Sequence, residues 1–236
     1  MTSASIRPLL CCAAALALTG AVGCSGLLPK PAPLPAFYTL DDTVGKDKPA
    51  QGGRAPDGPE MRRRPTLLVH PPHAAAGFDS TRIVYTRESH RLEYFAHSEW
   101  VDTPARMLTP LIVAAIVHSD SVQAVVTAPS AAASDIGLDT EIVRLQHDFG
   151  VAPSRVRFTL RVALVDGRTR KVLASRVFDE SADSPSEDAR GGVEAAHHAV
   201  QVVLRDMAAL CSDAATAWRA ADAARPDAGR DTTQAP

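Results

Sequence analysis

The residue with the most definite chemistry is Cys24. It closes the run Ala21-Val22-Gly23-Cys24, after an apolar stretch from Leu9 to Leu18 that Arg7 precedes. A stretch of about ten apolar residues is too short to cross roughly 30 Å of hydrocarbon as a helix. A basic start, an apolar middle and a small-residue end are the marks of a secretory signal. Small residues followed directly by cysteine resemble a bacterial lipobox. There the sulfur receives a diacylglycerol, the signal (residues 1–23) is cut away, and the new amine is acylated, commonly as palmitate. Several acyl chains on Cys24 supply the two or more hydrophobic anchors that stable attachment requires, so the chain is expected to be anchored to a membrane without spanning it. Ser25 stands where an inner-membrane retention signal carries Asp, which favours the periplasmic side of the outer membrane.

Other reactive side chains do not converge. Cys11 and Cys12 leave with the signal, so Cys211 is the one thiol left beside Cys24, and on a helix face it reads as a small buried hydrophobe. His70 and His73 flank Pro71-Pro72 with no nearby Cys, Asp or Glu to complete a ligand set. His147 and Asp148 are neighbours on a strand and leave opposite faces. His197 and His198 sit about 100° apart on a helix, and His197 falls on the apolar stripe. There is no Gly-rich phosphate loop, no Gly-x-Ser-x-Gly elbow and no His-Glu-x-x-His helix. Scattered Ser, His and Asp residues are what chance supplies at this length. No catalytic, cofactor or metal residue is assigned, and the chain is expected not to be an enzyme.

Recognition surfaces are the remaining candidates. Tyr85, Tyr94, Phe95 and Trp100 cluster; core packing accounts for most of them, while Tyr and Trp are also the types that anchor interfaces. Arg155, Arg157 and Arg161 recur at strand spacing and form a basic stripe on one sheet face, by default a solvated one, by the sharper reading a surface for an acidic partner. Tyr85, Tyr94, Trp100, Arg155, Arg157 and Arg161 are therefore the partner-binding candidates. Arg62-Arg63-Arg64 reads as a solvated charge run, with lipid phosphates as its alternative target.

These residues need elements to hold them. The chain has 236 residues, 45% hydrophobic, with 25 Lys and Arg against 27 Asp and Glu. That near-neutral balance argues against nucleic acid, whose binders concentrate cations. Residues 24–35 join the lipidated cysteine to a Pro-rich, semi-rigid tether. Residues 36–64 hold the short strand Phe37-Tyr38-Thr39-Leu40 and a polar loop too poor in apolar residues for a core. A folded body spans 65–212. In it Thr66–His70, Thr81–Thr86 and Leu92–Ala96 read as strands, the last two as a hairpin. Asp102 or Thr103 caps a helix with Pro104 in its first turn, and Met107, Leu108, Leu111, Ile112, Ala115 and Ile116 form its apolar stripe. Val122–Val126 is a strand, and Asp135 and Gly137 fall in a turn. Val143, Leu145 and Phe149 point inward on the next strand, and Val156, Phe158, Leu160, Val162 and Leu164 on the one after it. Asp166-Gly167 marks a hairpin that returns along Val172–Phe178. A long helix covers about Glu187 to Ser212, and residues 213–236 form a flexible tail whose first part has the composition to extend that helix. The fold class expected is α+β: a two-layer α/β sandwich with a mainly antiparallel sheet and two helices packed on one face.

A family resemblance joins these segments. The lipobox, the Pro-rich leader, Phe37–Leu40, Pro65–Pro72, Gly77–Tyr85, Leu92–Ala96 and Trp100–Leu108 together resemble the ABC-type transport auxiliary lipoprotein family. Its members are the lipoprotein partners of MCE-domain lipid transport systems, of the paraquat-inducible type. The resemblance implies a non-enzymatic outer-membrane lipoprotein, able to form homo-oligomers. It implies docking to an MCE-domain protein and the ABC transporter subunits behind it, for lipid or hydrophobic-compound traffic between the membranes. The 41–64 insertion and the tail depart from the family pattern. The competing expectation is a solitary periplasmic lipoprotein that binds a small apolar ligand or stabilises the envelope.

Overall fold

The strict alternation from Arg155 to Asp166 lies in the middle of an antiparallel meander, and the rest of the sheet grows from one edge of that meander. A computed structural model describes residues 34–41 and 61–224; the signal, Cys24, the tether up to Pro33, residues 42–60 and the tail beyond 224 lie outside the described residues. The elements are β1 (Ala36–Tyr38), β2 (Thr66–Val69), β3 (His73–Ala74), β4 (Arg82–Thr86), β5 (Glu93–Trp100), α1 (Pro104–His118), β6 (Ala124–Thr127), β7 (Ile136–Asp148), β8 (Arg155–Asp166), β9 (Val172–Asp183) and α2 (Ala189–Ala223). A short 3-10 turn at Met61–Arg63 precedes β2.

β7, β8 and β9 pair antiparallel along nearly their whole lengths. With one edge of β7 taken by β8, three short strands share the other. β2 runs parallel to its start, Leu67 opposite Ile136; β3 meets its middle, His73 opposite Glu141; β4 meets its end, Tyr85 opposite His147. β6 adds in parallel to β2, β5 pairs antiparallel with β4 as a hairpin, and β1 adds in parallel to β5. The nine-stranded sheet is therefore mixed: the long β7–β8–β9 ladders and the β4–β5 hairpin are antiparallel, as expected, while the short parallel ladders were not anticipated. Hairpins announce themselves through their turns, whereas parallel partners far apart in sequence leave no local signal.

Three local readings also change. β7 begins at Ile136, so Gly137 is a strand residue and not part of a turn. Its inward face runs through Ile136, Leu138, Thr140 and Ile142, then shifts at a bulge between Ile142 and Arg144 to Leu145 and His147. Val143 is the extra residue of that bulge and not a core position. In the β8–β9 turn the left-handed residue is Arg170, at φ 60°, while the Asp166 carboxylate accepts from the Arg168 and Thr169 amides. Gly167 serves close approach instead: a β-carbon there would stand 2.6 Å from the Ser134 carbonyl.

The helices cover the strands with their stripes. Thr103 is the N-cap of α1 without a side-chain capping bond, and Pro104 occupies the first turn. Met107, Leu108, Leu111, Ile112 and Ile116 are buried, as the stripe requires. Asp188 caps α2 by accepting from the Gly191 amide at 2.8 Å. α2 packs on β7, β8 and β9, while α1 meets α2, β3 and β6, and both helices join the strands in one hydrophobic core. α2 continues past Ser212 through Ala223, burying Ala214, Ala215 and Trp218. Small alanines carry most of that extension, so the large-residue periodicity that marked the helix fades before the helix ends. Among the described residues no helix is long and apolar enough to cross a membrane.

Candidate functional site

The two helices do not close against each other completely. Where Ala115 of α1 faces Ala208 and Ala209 of α2, small side chains leave a groove of about 400 Å³, with Leu111, Val200 and Leu204 on its walls. Asp41, His118, Ser119 and Arg205 stand at its polar rim. Two rim groups are already engaged: His118 Nδ1 lies 2.7 Å from the Ala114 carbonyl, and Ser119 donates to the Ile116 carbonyl. An apolar wall with a few polar rim groups suits an apolar chain or apolar side chains and supplies no nucleophile. Sequence reading assigned Leu111, Ala115, Val200 and Leu204 to core faces and left Ala208 and Ala209 unassigned; those adjacent alanines were the signal that two stripes would meet with a gap.

The partner-binding candidates separate in space. Trp100 is 4% exposed and packs in the core, so its ring stabilises the fold and offers no surface contact, a correction to its assignment. Tyr94, at 37% exposed, keeps an open ring, with the Arg82 guanidinium 5.0 Å from its centre. Tyr85 lies in an aromatic group, its ring 4.7 Å from Phe95 and 5.7 Å from Phe149. Its hydroxyl donates to Glu93 at 2.8 Å, and that bond to a carboxylate pushes the phenol above its ordinary value. Arg155, Arg157 and Arg161 do line one strand, but neighbouring strands answer each with a carboxylate: Asp183 at 3.6 Å, Asp179 at 2.8 Å, and Glu141. Partial burial works against ionising Asp179, yet hydrogen bonds from Thr159 and Arg157 outweigh it and hold the carboxyl below its usual value. The stripe is thus a ladder of alternating charge. Cys24 lies outside the described residues.

A Ser–His pair that sequence reading passed over joins β7, β8 and α2. His147 is 2% exposed and Ser154 0%, with Nε2 and Oγ 2.8 Å apart. The Ser154 amide donates to Glu187 at 3.0 Å, a bond that lowers the Glu187 carboxyl. Nδ1 of His147 is buried without a partner and packs on the first turn of α2, where a β-carbon on Gly192 would stand 2.5 Å from it. Burial lowers the pKa of the ring, keeping it neutral. The spacing is that of a nucleophile and its base, but nothing as large as a substrate reaches two side chains this deeply buried. Its evident work is to tie the β7–β8 turn to the start of α2. Among the described residues no three His, Cys, Asp or Glu side chains gather closely enough to hold a metal ion.

Comparison with known proteins places this geometry. The model of the ABC-type transport auxiliary lipoprotein component matches residues 38–208. The chain belongs to that family. The match runs from the end of β1 into α2, so the charge ladder, the His147–Ser154 tie and most of the groove of this auxiliary lipoprotein lie on the family's own framework. Protein XCC0632 from Xanthomonas campestris, known from a crystal structure, is similar at 25% identity with a TM-score of 0.60, over 65% of this chain and 87% of that one. A second crystal structure, of an uncharacterized protein, shares the fold at 12% identity and a TM-score of 0.56, over 77% of this chain and 98% of the other. No curated protein matches the sequence of this auxiliary lipoprotein significantly.

Proposed function

We propose that this chain is the outer-membrane, periplasm-facing lipoprotein of an MCE-type ABC transport system. Acylated Cys24 anchors it, residues 25–35 tether it, and the folded body docks the transporter assembly for lipid or hydrophobic-compound traffic between the membranes. Membership of the family makes the protein a membrane-anchored, envelope-associated auxiliary of ABC transport, and that match over residues 38–208 is the observation that carries the reading. A non-catalytic role accords with it. Exposed Tyr94, Tyr85 and the Arg155, Arg157 and Arg161 ladder are the residues we assign to partner contact. Purification of the acylated chain in mild detergent tests the proposal. Recovery of an MCE-domain protein with transporter subunits supports it, and repeated recovery of the lipoprotein alone under conditions that preserve such assemblies overturns it.

The groove between α1 and α2 favours a second reading, a lipoprotein that itself holds a small apolar ligand. Mass spectrometry of the purified chain separates the two. Stoichiometric copurified lipid displaced by enlarging Ala115 or Ala208 points to a carrier, and its absence points to a scaffold.

A further inference from the structure

β9 leaves one long edge of the sheet open. It runs for 12 residues, Val172–Asp183, and pairs with β8 alone, whereas β1 and β6, which end the sheet elsewhere, have 3 and 4 residues. Ser184 gives its amide to the Ser154 carbonyl at the end of the β8–β9 ladder, and that bond sets the phase of the strand. Even-numbered residues from Ala174 to Ala182 bond to β8, while Ser175, Val177, Asp179, Ser181 and Asp183 turn amide and carbonyl away from it. An open edge of this length is a template for another strand.

The side chains of β9 select which strand. Val177, in the middle of the edge, is 54% exposed. On the opposite face Phe178 is buried, and the Arg176 guanidinium lies 5.7 Å from the centre of its ring. Arg176 and Glu180 make no ion pair or side-chain hydrogen bond among the described residues. They share the face of Phe178, one two positions before it and the other two positions after it. Read backwards against itself from Phe178, the strand therefore matches cation to anion.

We infer that β9 pairs with β9 of a second copy of this chain, antiparallel about a two-fold axis at Phe178. In that register Arg176 of each copy faces Glu180 of the other, Ala174 faces Ala182, and the two Phe178 rings meet. Val177 lies opposite Asp179 and diagonally beside the Val177 of the second copy, which covers its exposed side chain. Other centres fit less well. A centre at Arg176, Asp179 or Glu180 sets like charges face to face, and one at Val177 leaves Arg176 opposite Phe178 and Glu180 opposite Ala174. The contact is the same on both copies, as a two-fold interface requires, and it joins the two sheets into one.

Light scattering on gel filtration, with sedimentation of a dilution series, tests the pairing on the full acylated chain in non-ionic detergent. The native chain should form dimers or even multiples that dissociate on dilution. Arg176→Glu and Glu180→Arg each place like charges opposite one another twice, so each should weaken association roughly tenfold or more, and the two together should restore it. Val177→Pro deletes an amide that faces away from β8, so it should block pairing while leaving the β8–β9 ladder and the thermal midpoint close to native. The charge reversals lie on exposed or half-exposed positions and decide the matter even where the proline variant fails to fold. A native chain that stays monomeric, association unchanged by the single reversals, or a double variant that does not recover would each overturn the inference. A monomeric chain that loses a copurifying protein on Val177→Pro would assign the edge to a foreign strand and overturn it too.

Discussion

His147 shows how one residue's environment becomes a property of the whole chain. Unfolded, its ring takes up a proton near pH 6.5, the ordinary value for histidine. Folded, burial lowers that pKa, against weaker opposing pulls from Glu187, Asp148 and Asp188. Below about pH 6.5 the unfolded state therefore binds more protons than the folded one, and stability falls as pH drops toward the folded pKa. Glu187 and Asp188, lowered by backbone hydrogen bonds from Ser154 and Gly191, contribute stability that is lost only at more acidic pH, through the carboxylate range. The thermal midpoint of the native chain should fall between pH 7.5 and 5.5, and in His147→Gln that dependence should flatten; parallel slopes would show that another group is responsible. Cys211 makes the opposite point about reactivity. It is fully buried, and burial pushes its thiol up to about 12, so the nucleophilic thiolate is scarce. Iodoacetamide at pH 8 should leave the Cys211 peptide unmodified in the native chain and label it in denaturant. Rapid labelling of the native protein would mean that α2 opens locally.

Among the elements, β7 carries the least obvious information. Its inward residues change parity at Val143, so no single alternation describes the strand. Without Val143 the ladder would run unbroken from Ile142 opposite Leu160 to Arg144 opposite Thr159, keeping Leu145 and His147 inward. Deleting Val143 should therefore preserve a cooperative thermal transition, whereas deleting Thr140 turns the Glu141 carboxylate toward the core and should abolish it. Circular dichroism melts distinguish the two; collapse of the Val143 deletion would show that the bend itself is indispensable. β8 was fully legible because every second residue from Val156 to Leu164 is large and apolar. β7 was half legible, because a bulge resets the phase without changing composition. The arginines of β8 were legible as a stripe, but their neutralisation was not: Asp179, Asp183 and Glu141 reach them only across strands. Likewise the groove follows from where two alanine-bearing faces happen to meet.

For the whole molecule, the anchor and the body are separate problems. Replacing Cys24 with Ala removes the acceptor of the diacylglycerol, so the chain should move from the membrane fraction to the soluble one while its far-ultraviolet spectrum stays unchanged. Continued sedimentation with membranes would refute lipidation at Cys24. The sequence alone was enough for the family, for most strands and for the stripes of both helices, and it is what proposes the anchor, because each rests on residues close together in the chain. A lipobox, a hairpin turn and a helical period are local patterns. Tertiary structure alone decided that three strands share one edge of β7, that Trp100 is core while Tyr94 is surface, and that His147 meets Ser154 and Gly192. It also decided that β9 lies at an open edge of the sheet. Those facts depend on which distant segments are brought together. That choice is made by burial of the shared core as a whole, to which every element contributes and which no single segment encodes.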